Sequence, residues 1–357
     1  MADNLLRTLE AYGQSIWLDF IRRGMLMSGE LQRFIDEDGV SGMTSNPSIF
    51  EKAIAGSHDY DESIRALAFT GKSVEEMYQA LTVEDIQSAA DIFRPTFDRL
   101  NGYDGYISLE VSPHLAHDTE GTIAQARTLW QAVDRPNCFI KVPATRAGIP
   151  AIRQLTSEGI NVNVTLLFGI PRYHEVADAY LSGLEERAAQ GNPLNHVTSV
   201  ASFFLSRIDV LVDPLLEKLM QNKMYSIAET AAWVHGQVAI ASAQVAYQDY
   251  KALKASERMQ TLIKLGAHPQ RLLWASTSTK NPTYSDVKYV DALIGPETIN
   301  TLPQETINAY RDHGHPALRL EEDVATAKGI LQALNDLEIN LDTLTQQLED
   351  EGVEKFS

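Results

Sequence analysis

A lysine inside an apolar segment is the residue with the clearest chemical potential in this sequence. Lys141 lies in the run CFIKVPAT, residues 138–145. Burial in a medium of low dielectric constant disfavours an ammonium group and leaves a lysine as a neutral amine. A neutral amine can attack a carbonyl carbon and form a Schiff base. The alternative is that Lys141 belongs to a structural ion pair in the core.

Polar residues recur at alternate positions of three further apolar segments. Side chains alternate between the two faces of a strand. One face would therefore carry Ser15, Trp17 and Asp19, then Tyr106, Ser108 and Glu110, then Asn161, Asn163 and Thr165. In an antiparallel sandwich this would be an ordinary solvated face, but a parallel sheet covered by helices is buried on both faces. Two carboxylates converging with Lys141 in an interior favour a functional site.

The elements that would position these residues alternate along the chain. Eight short apolar or alternating segments predict strands, and longer helical patterns separate them. The predicted strands span residues 15–20, 40–44, 106–111, 138–142, 161–168, 197–204, 271–276 and 289–294. This order predicts an α/β fold, and eight strands in 357 residues favour a closed (β/α)8 TIM barrel over an open sheet. The carboxyl ends of barrel strands carry the active site.

Three segments are too long to be simple connections and predict additional helices. They are residues 51–100, the alanine-rich residues 214–265, and a tail after Pro316 with leucines every three or four positions. The tail could dock on its own barrel or on a second copy in a homo-oligomer, and docking on the barrel is favoured. Because no linker or internal repeat interrupts the chain, we expect residues 1–357 to form a single domain with an N-terminal helix rather than two domains.

Composition excludes several classes of partner. The chain has 48 acidic and 30 basic residues, a net charge of -18, which disfavours nucleic acid and anionic membranes as partners. An anionic substrate would need a local basic pocket. The single cysteine, Cys138, excludes an internal disulfide framework and suits a reducing cytosol. With no secretory signal pattern and no apolar stretch of transmembrane length, the sequence predicts a cytoplasmic protein.

Metal and cofactor signals are weak. Two closely spaced histidine pairs, His114 with His117 and His313 with His315, have no third ligand signalled nearby. Loop histidines of this kind are usually solvated, so we predict no metal site. The sequence also has no dinucleotide-binding glycine fingerprint, so we predict no cofactor.

Short blocks in order along the chain resemble the transaldolases of the class I Schiff-base aldolase superfamily. The blocks are Trp17–Asp19, Thr44–Ser48, Glu110–Ser112, Ile140–Thr145, Asn163–Phe168, Ser202–Phe204, Ser206–Asp209 and Ala275–Thr277. The long segment 214–265 is similar to the larger bacterial type. The resemblance implies transfer of a dihydroxyacetone unit from a ketose phosphate to an aldose phosphate in the non-oxidative pentose phosphate pathway. Donors would be sedoheptulose 7-phosphate or fructose 6-phosphate, and acceptors glyceraldehyde 3-phosphate or erythrose 4-phosphate.

The resemblance also implies catalytic roles. Lys141 would attack the ketone of the donor and form an imine, whose positive charge accepts electrons during carbon–carbon cleavage without a metal. Asp19 would take the proton of the C4 hydroxyl during cleavage and return it during addition. Glu110 and Thr165 match the pair that holds a water for dehydration of the carbinolamine.

Further polar residues match positions that contact the substrate in this family. Asn46, Asn163 and Ser202 would hydrogen-bond the three-carbon unit, because amides and hydroxyls offer donors and acceptors without charge. Ser276 is an additional substrate-binding candidate. Two alternatives remain open, since Asn46 before Pro47 is also a typical turn former and Ser202 could cap a helix.

Two cations are candidates for binding substrate phosphate. Arg207 matches a phosphate-binding arginine, whose forked guanidinium suits phosphate oxygens. Lys280 stands where shorter members of the family have an arginine, so the compact charge of an ammonium group would replace a forked guanidinium. Arg22 and Arg23 follow the first predicted strand. The pattern favours a solvated helix surface for them over a phosphate clamp.

Two other functions fit parts of the pattern. One is an aldolase of the same superfamily that releases free dihydroxyacetone. The presence of Asp19 and Glu110 disfavours this aldolase function. The other is a barrel that binds sugar phosphates without turning them over. The combination of Lys141 with two carboxylates disfavours it, because binding alone does not need them together.

Overall fold

A closed parallel barrel forms the centre of the protein. The computed structural model describes residues 4–356, with side chains up to residue 355. Its strands are β1 (Gln14–Asp19), β2 (Val40–Thr44), β3 (Tyr106–Glu110), β4 (Cys138–Pro143), β5 (Val162–Leu167), β6 (Ser199–Phe204), β7 (Arg271–Ala275) and β8 (Thr298–Leu302). Each strand pairs in parallel with the next, and β1 also pairs with β8. The predicted TIM-barrel fold is confirmed.

Helices surround the barrel. From α1 to α9 they are α1 (Leu5–Ala11), α2 (Arg23–Met27), α3 (Glu30–Asp38), α4 (Pro47–Ala55), α5 (Asp61–Phe69), α6 (Val74–Arg99), α7 (Thr119–Val133), α8 (Gly148–Glu158) and α9 (Ile170–Ala189). From α10 to α17 they are α10 (Ser206–Met220), α11 (Tyr225–Val234), α12 (Val238–Ala255), α13 (Glu257–Lys264), α14 (Lys288–Ala292), α15 (Gln304–His313), α16 (Val324–Asp336) and α17 (Leu341–Phe356). A 3-10 turn spans Pro113–Leu115. Within residues 4–356, no helix is long and apolar enough to cross a bilayer.

The prediction of a strand over residues 289–294 is wrong. Most of this segment lies in α14, and the eighth strand is β8, a few residues later. The four large apolar residues of the segment, Tyr289, Val290, Leu293 and Ile294, pair at spacings of three or four positions, which places them together on a helix. Three of the five residues of β8 are polar, two of them adjacent, and all five are buried. A buried strand with this many polar residues gives a weak hydrophobic signal.

The predicted helical segments are confirmed. Residues 51–100 comprise the rest of α4 together with α5 and α6, and residues 214–265 comprise the rest of α10 and α11 to α13. The leucine-spaced tail forms α16 and α17, separated near Glu338, which has a left-handed φ of 59°. Leu334 and Leu348 are buried in the main hydrophobic core, and α17 contacts β5 and α10. Docking of the tail on its own barrel is therefore confirmed.

Aromatic residues fill the amino-terminal half of the barrel interior. Trp17, Tyr106 and Phe139 belong to a cluster separate from the core under the helices, and the Tyr106 and Phe139 ring centroids are 4.5 Å apart. Beneath them, Asp104 accepts a hydrogen bond of 2.6 Å from Trp17 Nε1, and Arg271 donates to Ser15 Oγ. The carboxyl-terminal half is left for the polar candidates.

Gly42 of β2 lies against the indole of Trp17. The two residues are partners in the strand register, and a Cβ at Gly42 would lie 2.5 Å from Trp17 Cε2. We expect Gly42→Ala to lower the free energy of unfolding by about 1–3 kcal/mol, because a close-packed interior resists added volume. Urea denaturation measured by circular dichroism tests this.

The matched control is Gly329→Ala on α16. There a Cβ would meet only Cη2 of the half-exposed Trp233, at 3.3 Å. Since alanine also favours helix over glycine, we expect a change within about 1 kcal/mol. Equal stability of Gly42→Ala and the parent would contradict the close packing at Trp17.

Candidate active site

Lys141 lies in the barrel interior, as predicted. Every residue of β4 is buried, and Lys141 is a register partner of Glu110 on β3 and of Asn163 on β5. Its Nζ donates a 3.0 Å hydrogen bond to the carbonyl oxygen of Ser45 and lies 3.2 Å from Oε2 of Glu110. The amine is therefore held between two acceptors in a site largely closed to water.

Asp19 ends β1 on the same side of the barrel. Its Oδ1 accepts a 2.7 Å hydrogen bond from Thr44 Oγ1, which also lies 2.7 Å from Thr301 Oγ1. Burial raises the pKa of Asp19 above its ordinary value, against the opposing charge of Lys141. The expected convergence of Asp19, Glu110 and Lys141 is present in the structure.

Glu110 has a similar electrostatic environment. Burial raises its pKa, the charge and hydrogen bond of Lys141 lower it, and the negative charge of Asp19 raises it further. Raised carboxyl pKa values in an enclosed site suit proton transfer closer to neutral pH than an ordinary carboxylate allows. The geometry can therefore support proton movements on either side of one amine.

A chain of hydrogen bonds joins the strands beside Lys141. Ser202 Oγ donates to Asn163 Oδ1 at 2.6 Å, and Asn163 Nδ2 donates to Ser108 Oγ at 3.0 Å. Ser202 lies within β6, so the alternative that it caps a helix is wrong. Thr165 is buried on β5 and is the register partner of Pro143, which lies two residues beyond Lys141 toward the carboxyl end of β4.

Asn46 lies after β2 and caps α4. Its Oδ1 accepts a 2.9 Å hydrogen bond from the backbone nitrogen of Ile49. Asn46 therefore has a local structural role, as the alternative drawn from the sequence proposed. Capping uses the carbonyl oxygen, and the amide nitrogen could still donate to a ligand. Both readings of Asn46 are compatible with this geometry.

A β-bulge next to Thr165 was not foreseen. The register of β5 with β6 shifts between Val164 and Leu167, and Leu166 has a left-handed φ of 54°. A non-glycine residue in this conformation costs about 1–3 kcal/mol and persists only where its surroundings hold it. The tail helix supplies such surroundings, because Gly352 of α17 packs directly on Leu166.

The candidate phosphate residues follow β6 and β7. Arg207 is half-buried in the first turn of α10, with its guanidinium 5.8 Å from the Phe204 ring centroid. Burial lowers its pKa, and the charge of Glu351 on α17 raises it. Ser276 Oγ lies 2.9 Å from Ser206 Oγ, beside Arg207. Lys280 is exposed, yet close enough to Asp19 for its charge to lower the pKa of that carboxyl.

The expectation of a solvated surface is wrong for Arg23. Its guanidinium is buried and donates to Asp85 and to Glu84 on α6, each at 2.8 Å. Arg22 is exposed, with Nε 3.6 Å from Asp59. Arg23 thus ties the segment after β1 to the first helical insertion, a role that the RR pair in the sequence does not reveal.

Tyr78 on α6 is a residue near the site that the sequence did not indicate. Its ring packs edge-on against Phe50, with centroids 6.4 Å apart. Partial burial, followed by the negative charges of Glu110 and Glu51, raises the pKa of Tyr78 to about 12. The helical insertion therefore reaches the neighbourhood of Glu110. Apolar residues repeating every 3.6 positions predict a helix, but they do not show which part of the protein the helix packs on.

Comparison with known proteins is consistent with this geometry. Residues 16–357 match the family described as transaldolase/fructose-6-phosphate aldolase. A transaldolase of Trichodesmium erythraeum is 49% identical over 100% of this chain and 94% of its own. A protein named transaldolase 2 from Nostoc punctiforme is 48% identical with the same coverage. A transaldolase of Thiobacillus denitrificans is 46% identical over 99% of this chain and 96% of its own.

Proposed function

The chain belongs to the transaldolase/fructose-6-phosphate aldolase family, and on this premise we propose that it is a transaldolase. It moves a dihydroxyacetone unit from fructose 6-phosphate or sedoheptulose 7-phosphate to erythrose 4-phosphate or glyceraldehyde 3-phosphate. The observation that carries this proposal at the site is the enclosed group of Lys141, Glu110 and Asp19, with the Lys141 amine 3.2 Å from Glu110. Whole-length relatives named transaldolase favour transfer over release of free dihydroxyacetone.

The proposed reaction begins at Lys141. Its amine attacks C2 of the donor and forms a carbinolamine, which loses water to give a protonated imine. Glu110 and Thr165 hold the water that relays protons in this dehydration. The position of Glu110 beside the amine supports this role, because a general acid–base must lie within hydrogen-bond reach of the proton that it moves.

Carbon–carbon cleavage follows at the imine. Asp19 takes the proton of the C4 hydroxyl, the C3–C4 bond breaks, and its electron pair moves toward the imine nitrogen to form an enamine. The aldose phosphate leaves, and the enamine adds to the aldehyde of the acceptor, whose new hydroxyl receives the proton from Asp19. Hydrolysis of the imine then frees Lys141, so the cycle balances without a metal or cofactor.

Substrate contacts are assigned by position around this centre. Asn46, Asn163 and Ser202 hydrogen-bond the hydroxyls and nitrogen of the bound three-carbon unit, supported for Asn163 and Ser202 by their burial beside Lys141. The substrate phosphate is bound beyond them, near Ser276, by Arg207 and Lys280. A local pair of cations is needed because the chain as a whole carries a charge of -18.

The same proposal extends to the whole chain. Residues 1–357 act as a single catalytic domain, supported by helices of the second insertion and the tail that share one continuous core with the barrel. The lone cysteine, buried at Cys138, supports a cytoplasmic location. A homo-oligomer remains a prediction that sedimentation analysis would test.

Product analysis tests the activity directly. Incubation with fructose 6-phosphate and erythrose 4-phosphate should yield sedoheptulose 7-phosphate, detected by mass spectrometry. Dihydroxyacetone released without an acceptor would instead indicate an aldolase. Folded protein that yields neither product nor a borohydride-trapped adduct would favour a barrel that only binds sugar phosphates.

The pH dependence of kcat/KM should report the environment of Asp19. Burial raises its pKa above the ordinary 3.8, and a base must be ionised to act. As the pH is lowered, activity should therefore be lost at a higher pH than it would be with an exposed aspartate. The charge of Lys280 lowers this pKa. Lys280→Met should therefore move the acid limb of the profile to still higher pH, and added salt should weaken the shift.

The control for this shift is Lys328→Met, which removes an exposed charge on α16. It should leave the acid limb in place. A limb that moves to lower pH in Lys280→Met would contradict the proposed electrostatic contact.

A further inference from the structure

We propose that Tyr284 is a positioning residue that holds Lys280 at the substrate phosphate by anchoring its loop to Asp213 on α10. The proposal rests on the proposed function and concerns the phosphate end of the same site. Its basis is a set of contacts between three parts of the chain that are distant in sequence: α10, the turn between α11 and α12, and the loop between β7 and α14.

Lys280 directly precedes a closed turn. Asn281 Oδ1 accepts hydrogen bonds from the backbone nitrogen and the hydroxyl of Thr283, at 3.0 and 2.7 Å. The backbone nitrogen of Tyr284 donates to the carbonyl oxygen of Asn281 at 3.1 Å. A side chain that fixes Tyr284 therefore also restricts the backbone of Lys280, although Lys280 itself is exposed.

Tyr284 is fixed through its hydroxyl and its ring. The hydroxyl donates a 2.6 Å hydrogen bond to Asp213 Oδ2, whose other oxygen accepts from the backbone nitrogen of Gly236 at 2.9 Å. The Nζ of Lys288 lies 3.5 Å from the ring centroid of Tyr284 and donates to the Gly236 carbonyl at 2.6 Å. A hydrogen bond to a charged acceptor is stronger than one between neutral groups.

The long helical insertion completes this anchor. Gly236 has a left-handed φ of 70°, and a Cβ there would lie 2.6 Å from the Tyr284 hydroxyl oxygen. Only glycine allows both the turn and the close approach. His235 Nδ1 also lies 3.4 Å from that hydroxyl. The turn between α11 and α12 thus supports the loop that carries Lys280.

Helix α10 carries one candidate phosphate contact, Arg207, and also anchors the loop that carries the other, Lys280. Arg207 lies in the first turn of α10, where Ser206 meets Ser276 across 2.9 Å, and Asp213 follows about 9 Å further along the same helix. The β7 loop is therefore attached to α10 at two points. Loss of the second attachment should let Lys280 move relative to Arg207, while leaving Lys141 and its carboxylates in place.

Tyr284→Phe tests the anchor because it removes the hydroxyl and keeps the ring. With saturating fructose 6-phosphate, we expect KM for erythrose 4-phosphate to rise roughly tenfold, as for the loss of a hydrogen bond to a charged group, with kcat changed less than about twofold. With D-glyceraldehyde, an acceptor without phosphate, KM should match that of the parent. In a Lys280→Ala background, Tyr284→Phe should add no further rise in KM.

The matched control is Tyr289→Phe on α14. Tyr289 donates a 2.8 Å hydrogen bond to Asp209, another carboxylate of α10, but lies outside the turn that carries Lys280. It should leave KM for erythrose 4-phosphate near that of the parent. Circular dichroism and thermal unfolding of each variant establish that it is folded.

Three results would overturn the anchor: an unchanged KM in Tyr284→Phe, an equal rise in Tyr289→Phe, or an equal rise with D-glyceraldehyde. A full additional rise in the Lys280→Ala background would also overturn it, because the effect would not pass through Lys280. Parent activity is measured in the same series. An inactive parent would contradict the proposed function itself, whereas an active parent with an unaltered Tyr284→Phe variant contradicts only the anchor.

Discussion

Lys141→Arg should abolish turnover, with kcat reduced on the order of 10,000-fold or more, as when a catalytic nucleophile is lost. Guanidinium stays protonated at any working pH and cannot attack a carbonyl carbon. It keeps a positive charge beside Glu110, whose Oε2 lies 3.2 Å from the lysine Nζ, so we expect the fold to survive. Steady-state kinetics with fructose 6-phosphate and erythrose 4-phosphate measure the loss, and circular dichroism checks the fold.

Borohydride trapping identifies the nucleophile independently of turnover. Reduction in the presence of fructose 6-phosphate should attach mass to the peptide that contains Lys141, and the arginine variant should show none. Lys328→Arg, on the exposed surface of α16, is the control and should trap and turn over like the parent. Trapped mass on another lysine of the parent, or retained activity in Lys141→Arg, would refute the assignment.

Asp19→Ala should stall carbon–carbon cleavage after the imine has formed. We expect kcat to fall by about 100- to 10,000-fold, the usual contribution of a positioned general base. Because the amine of Lys141 and its partner Glu110 are unchanged, the Schiff base should accumulate. Trapped adduct in the first seconds of reaction should therefore exceed that of the parent at equal enzyme and fructose 6-phosphate concentrations.

Glu110→Gln provides the contrast for that experiment. It keeps the side-chain volume beside Lys141 but removes the carboxylate assigned to carbinolamine dehydration. Adduct should form slowly in this variant and should not accumulate above the parent. If Asp19→Ala also fails to trap, Asp19 acts before imine formation, and its assignment to the C4 hydroxyl is wrong.

The strands show where sequence reasoning succeeds and where it fails. The period-2 alternation placed Trp17 and Tyr106 on the inner face of the barrel, because the side-chain direction along a strand is a local property. The eighth strand was misplaced because β8 is rich in buried polar residues, whose burial depends on neighbours from other strands. The prediction that Arg23 lies on a solvated surface is wrong for the same reason, because the carboxylates that accept its hydrogen bonds lie on α6, far along the chain.

The amino-acid sequence alone determined the barrel class, the family, and the inner-face positions of Lys141 and the two carboxylates, because periodicity and motif order can be read locally. Tertiary structure decided which distant groups meet. Tyr284 contacts Asp213 across 71 positions of the chain, and Leu166 packs against Gly352 of the tail. Such contacts depend on the closure of the barrel and on how each helix docks. Burial and the resulting pKa of Asp19 arise only when all of these elements exclude water together.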